Sequence, residues 1–307
     1  QKEFFFYDFS TMNKKLTEKE VTIKAPWGNI AALSWGDPSN PPVLFCHGKL
    51  DACSGFRPLV SRLPDCFFYI SIDLPGNGRS DHLPRGVRYG IVDLVPTIVM
   101  VKEHYKWDKF MYIGHSLGVP IGKYFNIAYP GHITRTVELD PVPAHHNWPT
   151  TRAAIKQWFQ QYYAFYDIDK YAKLNGNLET APKYSYEKVQ ASEHVLERCL
   201  VPAGDGLYKF TFDQRMKEVA VLPFSGDALK QIYTTATTPT FCVLAQDMID
   251  AGVYAGVESF LMDETAWPNK NYKVKIVPGG HDVHMDDPDC MAEDISKFLL
   301  EDVKAKL

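Results

Sequence analysis

The sequence predicts an α/β protein with a mostly parallel sheet, because short apolar runs alternate with segments of helical period. The runs show no alternation of apolar and polar residues, which is typical of strands covered on both faces. They lie at residues 42–46, 67–72, 110–113, 133–139, 240–245 and 272–277. Residues 117–128 and 291–299 carry apolar side chains at helical spacing and predict helices. Strands that alternate with helices form a parallel sheet with helices on its faces.

Two other segments complete the predicted organisation. Residues 21–23 and 30–34, joined through Trp-Gly-Asn, predict an opening hairpin. From residue 142 to about 238 the strand pattern stops, and six of the nine residues 158–166 are aromatic. We therefore expect a core domain of residues 1–141 and 239–307 with an inserted helical cap (lid) of residues 142–238. The aromatic side chains either pack between helices or line an apolar substrate pocket, for which the candidates are Trp158, Tyr162 and Phe165.

Composition excludes several classes of protein. The chain has 307 residues, of which 45% are hydrophobic and 23% are charged, with a formal net charge of −4. This balance is typical of a globular protein and offers no electrostatic reason to expect nucleic acid as a partner. No run reaches the roughly 20 apolar residues that span a bilayer, so we expect no membrane span. The sequence does not predict the oligomeric state.

The cysteines and the last residues bear on the cellular compartment. The six cysteines include no C-x-x-C pair, which favours free thiols in a reducing compartment. Since the Cys and His residues show no metal-ligand spacing, we expect neither a metal nor a cofactor. The final residues Ala305-Lys306-Leu307 are close to the Ser-Lys-Leu peroxisomal address, although a Lys-rich helix tail gives the same ending. The prediction is an intracellular protein, peroxisomal or cytoplasmic.

The strongest motif is Gly-His-Ser-Leu-Gly at residues 114–118, directly after one predicted strand and before a predicted helix. A serine hydroxyl is a weak nucleophile until a base removes its proton. A tight strand-to-helix turn exposes the hydroxyl, and the flanking glycines allow the chain to bend that sharply. The pattern therefore predicts that Ser116 is a catalytic nucleophile.

A serine nucleophile needs a base and an acid. The candidate base is His281, on the Gly-rich loop after the strand at 272–277, and His284 is its rival. A carboxylate fixes the tautomer of the base, and the chain order Ser…Asp…His places it between the two. Asp247 is our first choice, because it follows the strand at 240–245. The alternatives are Asp250 and then Asp140, whose other interpretation is closure of the turn before Pro141.

The oxyanion of the reaction needs backbone N–H donors. We expect one from Leu117, the residue after the nucleophile, and one from Lys49, in the loop after the strand at 42–46. The Lys49 ammonium is expected to be solvated. His47, His115 and His284 are further candidates for the substrate pocket.

These motifs together resemble the α/β-hydrolase superfamily. They are, in chain order, His47-Gly48, the segment Asp73-Leu74-Pro75-Gly76-Asn77-Gly78-Arg79-Ser80, Gly114-His115-Ser116-Leu117-Gly118 and Gly280-His281. The pattern is similar to the serine hydrolase-like (kraken-type) branch, which is associated with peroxisomes. The resemblance implies an eight-stranded sheet with a helical cap after the sixth strand.

Three functions are compatible with these residues. The first is hydrolysis of an ester or thioester with an apolar group, a small-molecule substrate, through a Ser-His-Asp triad and an acyl-enzyme. The second is carbon–carbon hydrolysis or lyase chemistry on the same fold. Epoxide and halide chemistry is disfavoured, because on this scaffold it uses a carboxylate nucleophile, whereas residue 116 is a serine. The third is non-catalytic binding of an apolar small molecule under the lid.

Overall fold

A computed structural model describes residues 16–142, 152–153, 155–156, 159–160, 183–185, 192–219, 222 and 224–304. The pocket candidates Trp158, Tyr162 and Phe165 and the C-terminal residues 305–307 lie outside the described residues. The predictions made for them are therefore not addressed by the structure.

Eleven strands and nine α-helices have defined bounds in the described part of the chain, where residues 152–153, 155–156 and 159–160 are also helical. The strands are β1 (Glu18–Ala25), β2 (Gly28–Trp35), β3 (Pro42–Cys46), β4 (Phe68–Ile72), β5 (Phe110–His115), β6 (Ile133–Leu139), β7 (Tyr184–Ser185), β8 (Leu200–Pro202), β9 (Leu207–Phe210), β10 (Thr240–Ala245) and β11 (Tyr272–Val277). The helices are α1 (Arg57–Val60), α2 (Ile91–Tyr105), α3 (Gly118–Ala128), α4 (Glu193–Cys199), α5 (Gly226–Thr234), α6 (Gln246–Asp250), α7 (Glu258–Leu261), α8 (Val283–Asp286) and α9 (Asp289–Lys304). Short 3-10 helices lie at Cys53–Phe56, Gln214–Glu218 and Glu264–Ala266.

Eight strands form one sheet in the order β1-β2-β4-β3-β5-β6-β10-β11. The first two pairs, β1 with β2 and β2 with β4, are antiparallel, and every other pair is parallel. The predicted eight-stranded, mostly parallel α/β-hydrolase sheet is confirmed. Since the carboxyl ends of β3, β5, β6, β10 and β11 meet at one edge, the loops that follow them converge there.

The two faces of the sheet are covered by different helices. On one face Ile295 and Leu299 of α9 belong to a buried cluster that includes Val137 of β6 and Val243 of β10. On the other face Ile98 of α2 and Ile121 of α3 belong to a second buried cluster. Every residue of β4, β5 and β10 is buried, because both faces of the sheet are covered. This explains why these strands appear in the sequence as continuous apolar runs.

The insertion after β6 is not purely helical in its described part. Besides α4 and α5 it contains a three-stranded antiparallel sheet in the order β7-β9-β8. The β8–β9 hairpin turns through Gly204, Asp205 and Gly206, which all have positive φ angles of 83°, 54° and 70°. Gly-Asp-Gly between two short strand-forming runs is a hairpin signal that the expectation of a helical cap overlooked. The boundaries of the cap remain a prediction.

A buried ion pair anchors the insertion to the sheet. Arg198, in α4, donates from Nη2 to Oδ2 of Asp73 at 2.8 Å and from Nε to the same oxygen at 3.0 Å. Both side chains have 0% exposure. Asp73 directly follows β4, so the insertion is held at the carboxyl edge of the sheet.

Among the described residues, no helix is long and apolar enough to cross a bilayer.

A second buried ion pair joins α3 to β6. Lys123 Nζ lies 2.6 Å from Glu138 Oε1, and the two side chains are 3% and 0% exposed. The ammonium also lies 4.5 Å from the centroid of the Trp267 ring. An isolated buried charge is costly, but the pair compensates both charges. It therefore fixes the helix that follows Ser116 against the strand that precedes Asp140.

We expect Lys123→Met to lower the free energy of unfolding by about 3–5 kcal/mol, because it leaves the Glu138 carboxylate buried without its partner. The double variant Lys123→Met/Glu138→Leu should recover most of that loss, since an apolar pair of similar volume needs no compensating charge. Denaturant unfolding of the two variants and the unmodified protein measures both effects. Equal stability of the single and double variants would show that the pair is not coupled.

Candidate active site

Ser116 lies at a strained turn between β5 and α3. Its φ angle is +49°, a region that side-chain-bearing residues rarely occupy. The two flanking positions must be glycine, because neighbouring backbone atoms leave no room for a Cβ atom there. A Cβ on Gly114 would lie 2.8 Å from the carbonyl carbon of Gly118, and a Cβ on Gly118 would overlap the carbonyl oxygen of Cys46. The motif at 114–118 therefore forms the tight elbow that the sequence predicts.

Leu117 begins the helical backbone at this elbow, with φ −58° and ψ −31°. Leu117 is the N-cap residue directly before α3, and the first backbone N–H groups at a helix start have no partner within the helix. Such groups, together with the positive end of the helix dipole, favour a developing negative charge.

His281 lies on the loop after β11, where Gly279 has a φ angle of +109°. Its Nδ1 atom lies 2.5 Å from Oδ2 of Asp140, and the side chains of the two residues are 29% and 1% exposed. Burial lowers the pKa of His281, but the hydrogen bond and the charge of Asp140 outweigh it and raise that pKa above its ordinary value. Because Nδ1 is bound to the carboxylate, Nε2 is the ring nitrogen available as a base.

Asp140, directly after β6, is held rigidly at the carboxyl edge of the sheet. Its φ angle is +43°, and its N–H donates to the carbonyl of Val243 at 2.8 Å. Oδ1 accepts from the N–H of Ala245 at 2.7 Å and from the hydroxyl of Tyr254. These donors leave Oδ2 for His281. An ionised carboxylate accepts at both oxygens, which matches this arrangement.

The choice of Asp247 as the partner of His281 is therefore corrected. Asp247 is exposed, and the contact it makes with the His281 loop is a hydrogen bond from its own N–H to the carbonyl of Gly279 at 3.1 Å. Asp250 is also exposed and accepts from the side chain of Gln246 at 2.8 Å. Asp140, our third choice, makes the hydrogen bond to His281. It follows β6, which lies next to β5, the strand that leads to Ser116.

The loop after β3 lies against the serine elbow. A Cβ on Gly48 would come within 3.1 Å of Cβ of Ser116. His47 is fully buried, and its Nε2 accepts from the N–H of Leu74 at 2.9 Å. The ring hydrogen is therefore on Nδ1, which donates to the carbonyl of Gly48 at 2.7 Å. Burial lowers the pKa of His47, which agrees with a neutral ring.

This arrangement orients the Lys49 amide. The carbonyl of Gly48 and the N–H of Lys49 belong to one trans peptide group and point in opposite directions. Since His47 binds that carbonyl, the Lys49 N–H points away from His47. The Lys49 ammonium donates to the carbonyl of Lys217 at 2.7 Å, so this side chain contacts the insertion.

The three histidines expected to line the pocket are buried instead. His47 bridges two loops through both ring nitrogens, and offers none to a substrate. His115 and His284 are 2% and 0% exposed, and their ring centroids lie 4.1 Å apart. Burial lowers the pKa of His284 to about 3. Of the two candidate bases, the one bound to Asp140 is His281, and His284 lies in the interior.

The sequence analysis missed two residues next to the site. Tyr254 donates to Asp140 from a loop whose sequence carries no motif. The second residue is Asp51, whose Oδ2 atom lies 4.0 Å from Nδ1 of His115. This side chain is buried, and burial raises the pKa of its carboxyl to about 7. Asp51, His115 and His284 bring ligand atoms within 4.8 Å of one another and could together hold a metal ion.

Comparison with known proteins gives the family. A family model described as alpha/beta hydrolase fold matches residues 41–288. The chain is 27% identical over 312 residues to a serine hydrolase-like protein of Danio rerio, with 95% of this chain and 91% of the relative covered.

Two solved structures share the fold. A hypothetical protein of Pseudomonas aeruginosa PAO1 superposes with a TM-score of 0.75 at 23% identity, covering 93% of this chain and 99% of that one. A thioesterase domain from the curacin biosynthetic pathway superposes with a TM-score of 0.72 at 17% identity, covering 92% and 99%. With the match over residues 41–288, the chain belongs to the α/β-hydrolase family of hydrolases, in which it is similar to the serine hydrolase-like proteins.

Proposed function

We propose that this protein is a serine hydrolase that cleaves an ester or thioester carrying an apolar group. The observation that carries the proposal is the hydrogen bond of His281 to Asp140, on loops that converge with the Ser116 elbow at one edge of the sheet. His281 also contacts the elbow directly, since its carbonyl lies 3.0 Å from Nε2 of His115, the residue before Ser116.

The proposed reaction uses these three side chains. Ser116 Oγ attacks the carbonyl carbon while Nε2 of His281 takes the hydroxyl proton. The imidazolium that forms is stabilised by the Asp140 carboxylate at 2.5 Å. His281 then gives the proton to the leaving alcohol or thiol, which leaves an acyl group on Ser116. Water attacks that acyl-enzyme, again with His281 as base, and releases the acid.

The oxyanion of each tetrahedral intermediate needs two fixed donors. The N–H of Leu117 lies at the N-cap of α3, and the N–H of Lys49 is oriented by the bond between His47 and Gly48. Removing one such donor from a hydrolase site typically costs about 10²–10³-fold in kcat. The tight packing of Gly48 against Ser116 supports this pair, because it brings the loop after β3 to the nucleophile.

The substrate class rests on two supports. The insertion contains the aromatic segment 158–166, which favours an apolar group in the substrate. The structural neighbour from the curacin pathway is a thioesterase domain, which makes a thioester as reasonable a substrate as an ester.

A fluorophosphonate probe tests the nucleophile. We expect stoichiometric labelling of the unmodified protein and none of Ser116→Ala, because the probe traps an activated serine. Mass spectrometry of the labelled peptide measures it, with Ser61→Ala, an exposed serine directly after α1, as the control. An unlabelled native protein that binds apolar ligands would instead identify a binding module.

Substitution of the two candidate acids separates them. Asp140→Asn should lower kcat by about 10³–10⁴-fold, since the amide no longer holds His281 in the required tautomer. Asp247→Asn should leave kcat near that of the unmodified protein, because Asp247 is exposed and its side chain does not bind His281. Hydrolysis of a short p-nitrophenyl ester measures both. The reverse order of effects would restore Asp247 as the acid.

Tyr254 is a positioning residue for Asp140. Tyr254→Phe removes one of the two donors to Oδ1 and should lower kcat about tenfold with little change in KM, since hydrogen bonds to charged groups contribute about 1.5–3 kcal/mol. Steady-state kinetics measures the split, and Tyr129→Phe, at an exposed position, is the control. If kcat is unchanged, the backbone alone positions Asp140.

A further inference from the structure

A second group of polar side chains lies behind the serine elbow. Asp51 follows β3, His115 is the last residue of β5, and His284 lies in α8 after β11. Their exposed fractions are 8%, 2% and 0%. Three loops that are distant in sequence therefore place two imidazoles and one carboxylate in the interior, where polar groups are normally paired.

The facing atoms of this group have no hydrogen-bond partner in the described part of the chain. They are Oδ2 of Asp51, Nδ1 of His115 and both ring nitrogens of His284. Oδ2 of Asp51 and Nδ1 of His115 are 4.0 Å apart, which is too long for a hydrogen bond. Leaving a buried polar atom unpaired is costly, so several of them facing one another indicate an occupant that binds to all three side chains.

The other atoms of His115 and Asp51 are already bound. Nε2 of His115 lies 3.0 Å from the carbonyl oxygen of His281 and donates its hydrogen to it. The lone pair of the neutral ring is therefore on Nδ1, which faces Asp51. Oδ1 of Asp51 accepts from the N–H of Ala52 at 2.6 Å, which leaves Oδ2. Metal-binding histidines characteristically donate their second N–H to a backbone carbonyl in this way.

We propose that Asp51, His115 and His284 bind one divalent transition-metal ion of the zinc type. Their ligand atoms lie within 4.8 Å of one another. Bonds of about 2.1 Å at tetrahedral angles need about 3.4 Å between ligand atoms, so each atom has to move by less than about 1 Å. Two imidazoles and one carboxylate suit Zn²⁺, whereas Mg²⁺ and Ca²⁺ prefer oxygen ligands alone. Solvent fills the fourth position.

The site differs from the proposed triad in residues and in role. It does not use Ser116, His281 or Asp140 as ligands, and its ion ties together the loops after β3, β5 and β11. These loops carry the Lys49 amide, the serine and the base. The ion is structural in this position, and its binding is independent of whether the protein hydrolyses esters.

Calorimetric titration of the chelator-treated, full-length protein with Zn²⁺ tests the proposal. We expect one ion per chain with micromolar or tighter affinity, a rise in melting temperature with Zn²⁺, and no binding of Mg²⁺. His284→Gln and Asp51→Asn should each weaken Zn²⁺ binding by about tenfold or more, since each removes a ligand. The controls His104→Gln and Asp250→Asn, at exposed positions, should bind as the unmodified protein does.

Co²⁺ gives a readout that needs no variant to fold. The unmodified protein should show visible d–d absorption with one equivalent of Co²⁺, without the intense near-ultraviolet band of a cobalt–thiolate bond. A thiolate band would place the ion on one of the six cysteines and overturn the proposal. So would the absence of stoichiometric Zn²⁺ binding, or unchanged affinity in folded His284→Gln and Asp51→Asn. Fluorophosphonate labelling of Ser116 separately reports the proposed function.

Discussion

The hydrogen bond between Asp140 and His281 joins two loops that are 141 positions apart in the chain. It exists because β6, β10 and β11 run parallel and end at the same edge of the sheet. Asp140 must turn through a positive φ angle to reach His281, and the sheet compensates that strain by binding its N–H and Oδ1 at the end of β10. The chemistry of the site therefore depends on the parallel sheet as a rigid frame for short, strained loops.

Buried polar groups provide much of the specificity of this frame. His47 joins the loops after β3 and β4, and Lys123 pairs with Glu138 between α3 and β6. Each of these contacts involves an element next to Ser116, Asp140 or the Lys49 amide. Since an unpaired buried polar group is expensive, such contacts favour one relative position of the elements over others. Burial of the apolar core drives folding, and these polar pairs favour one relative position of the elements.

Much of the fold could be predicted from the sequence, because parallel strands covered on both faces leave continuous apolar runs. The strands at 42–46, 133–139, 240–245 and 272–277 have the predicted bounds. Ser116 and His281 could be singled out, because each lies in a local pattern of glycines that reflects a tight turn. The structure brings both to the carboxyl edge of the sheet.

The carboxylate partner of His281 could not be assigned from the sequence. Asp140 and Asp247 both follow apolar strands that end at this edge, and only the order of β6 and β10 in the sheet separates them. Tyr254 contacts Asp140 from a loop without a motif, and the ligands of the inferred metal site lie at positions 51, 115 and 284, where spacing carries no signal. Such long-range contacts become visible only when the loops are placed in space.

The ion pairs that attach the insertion to the sheet differ in how strongly salt affects them. Exposed ion pairs of the same region, such as Arg57 with Glu197 and Arg79 with Glu20, accompany the buried contact of Arg198 with Asp73. Salt screens exposed charges far more strongly than buried ones. High ionic strength therefore weakens the exposed ion pairs more than it weakens the buried pair of Arg198 and Asp73. The buried contact therefore keeps α4 attached to the sheet at salt concentrations that weaken the surrounding pairs.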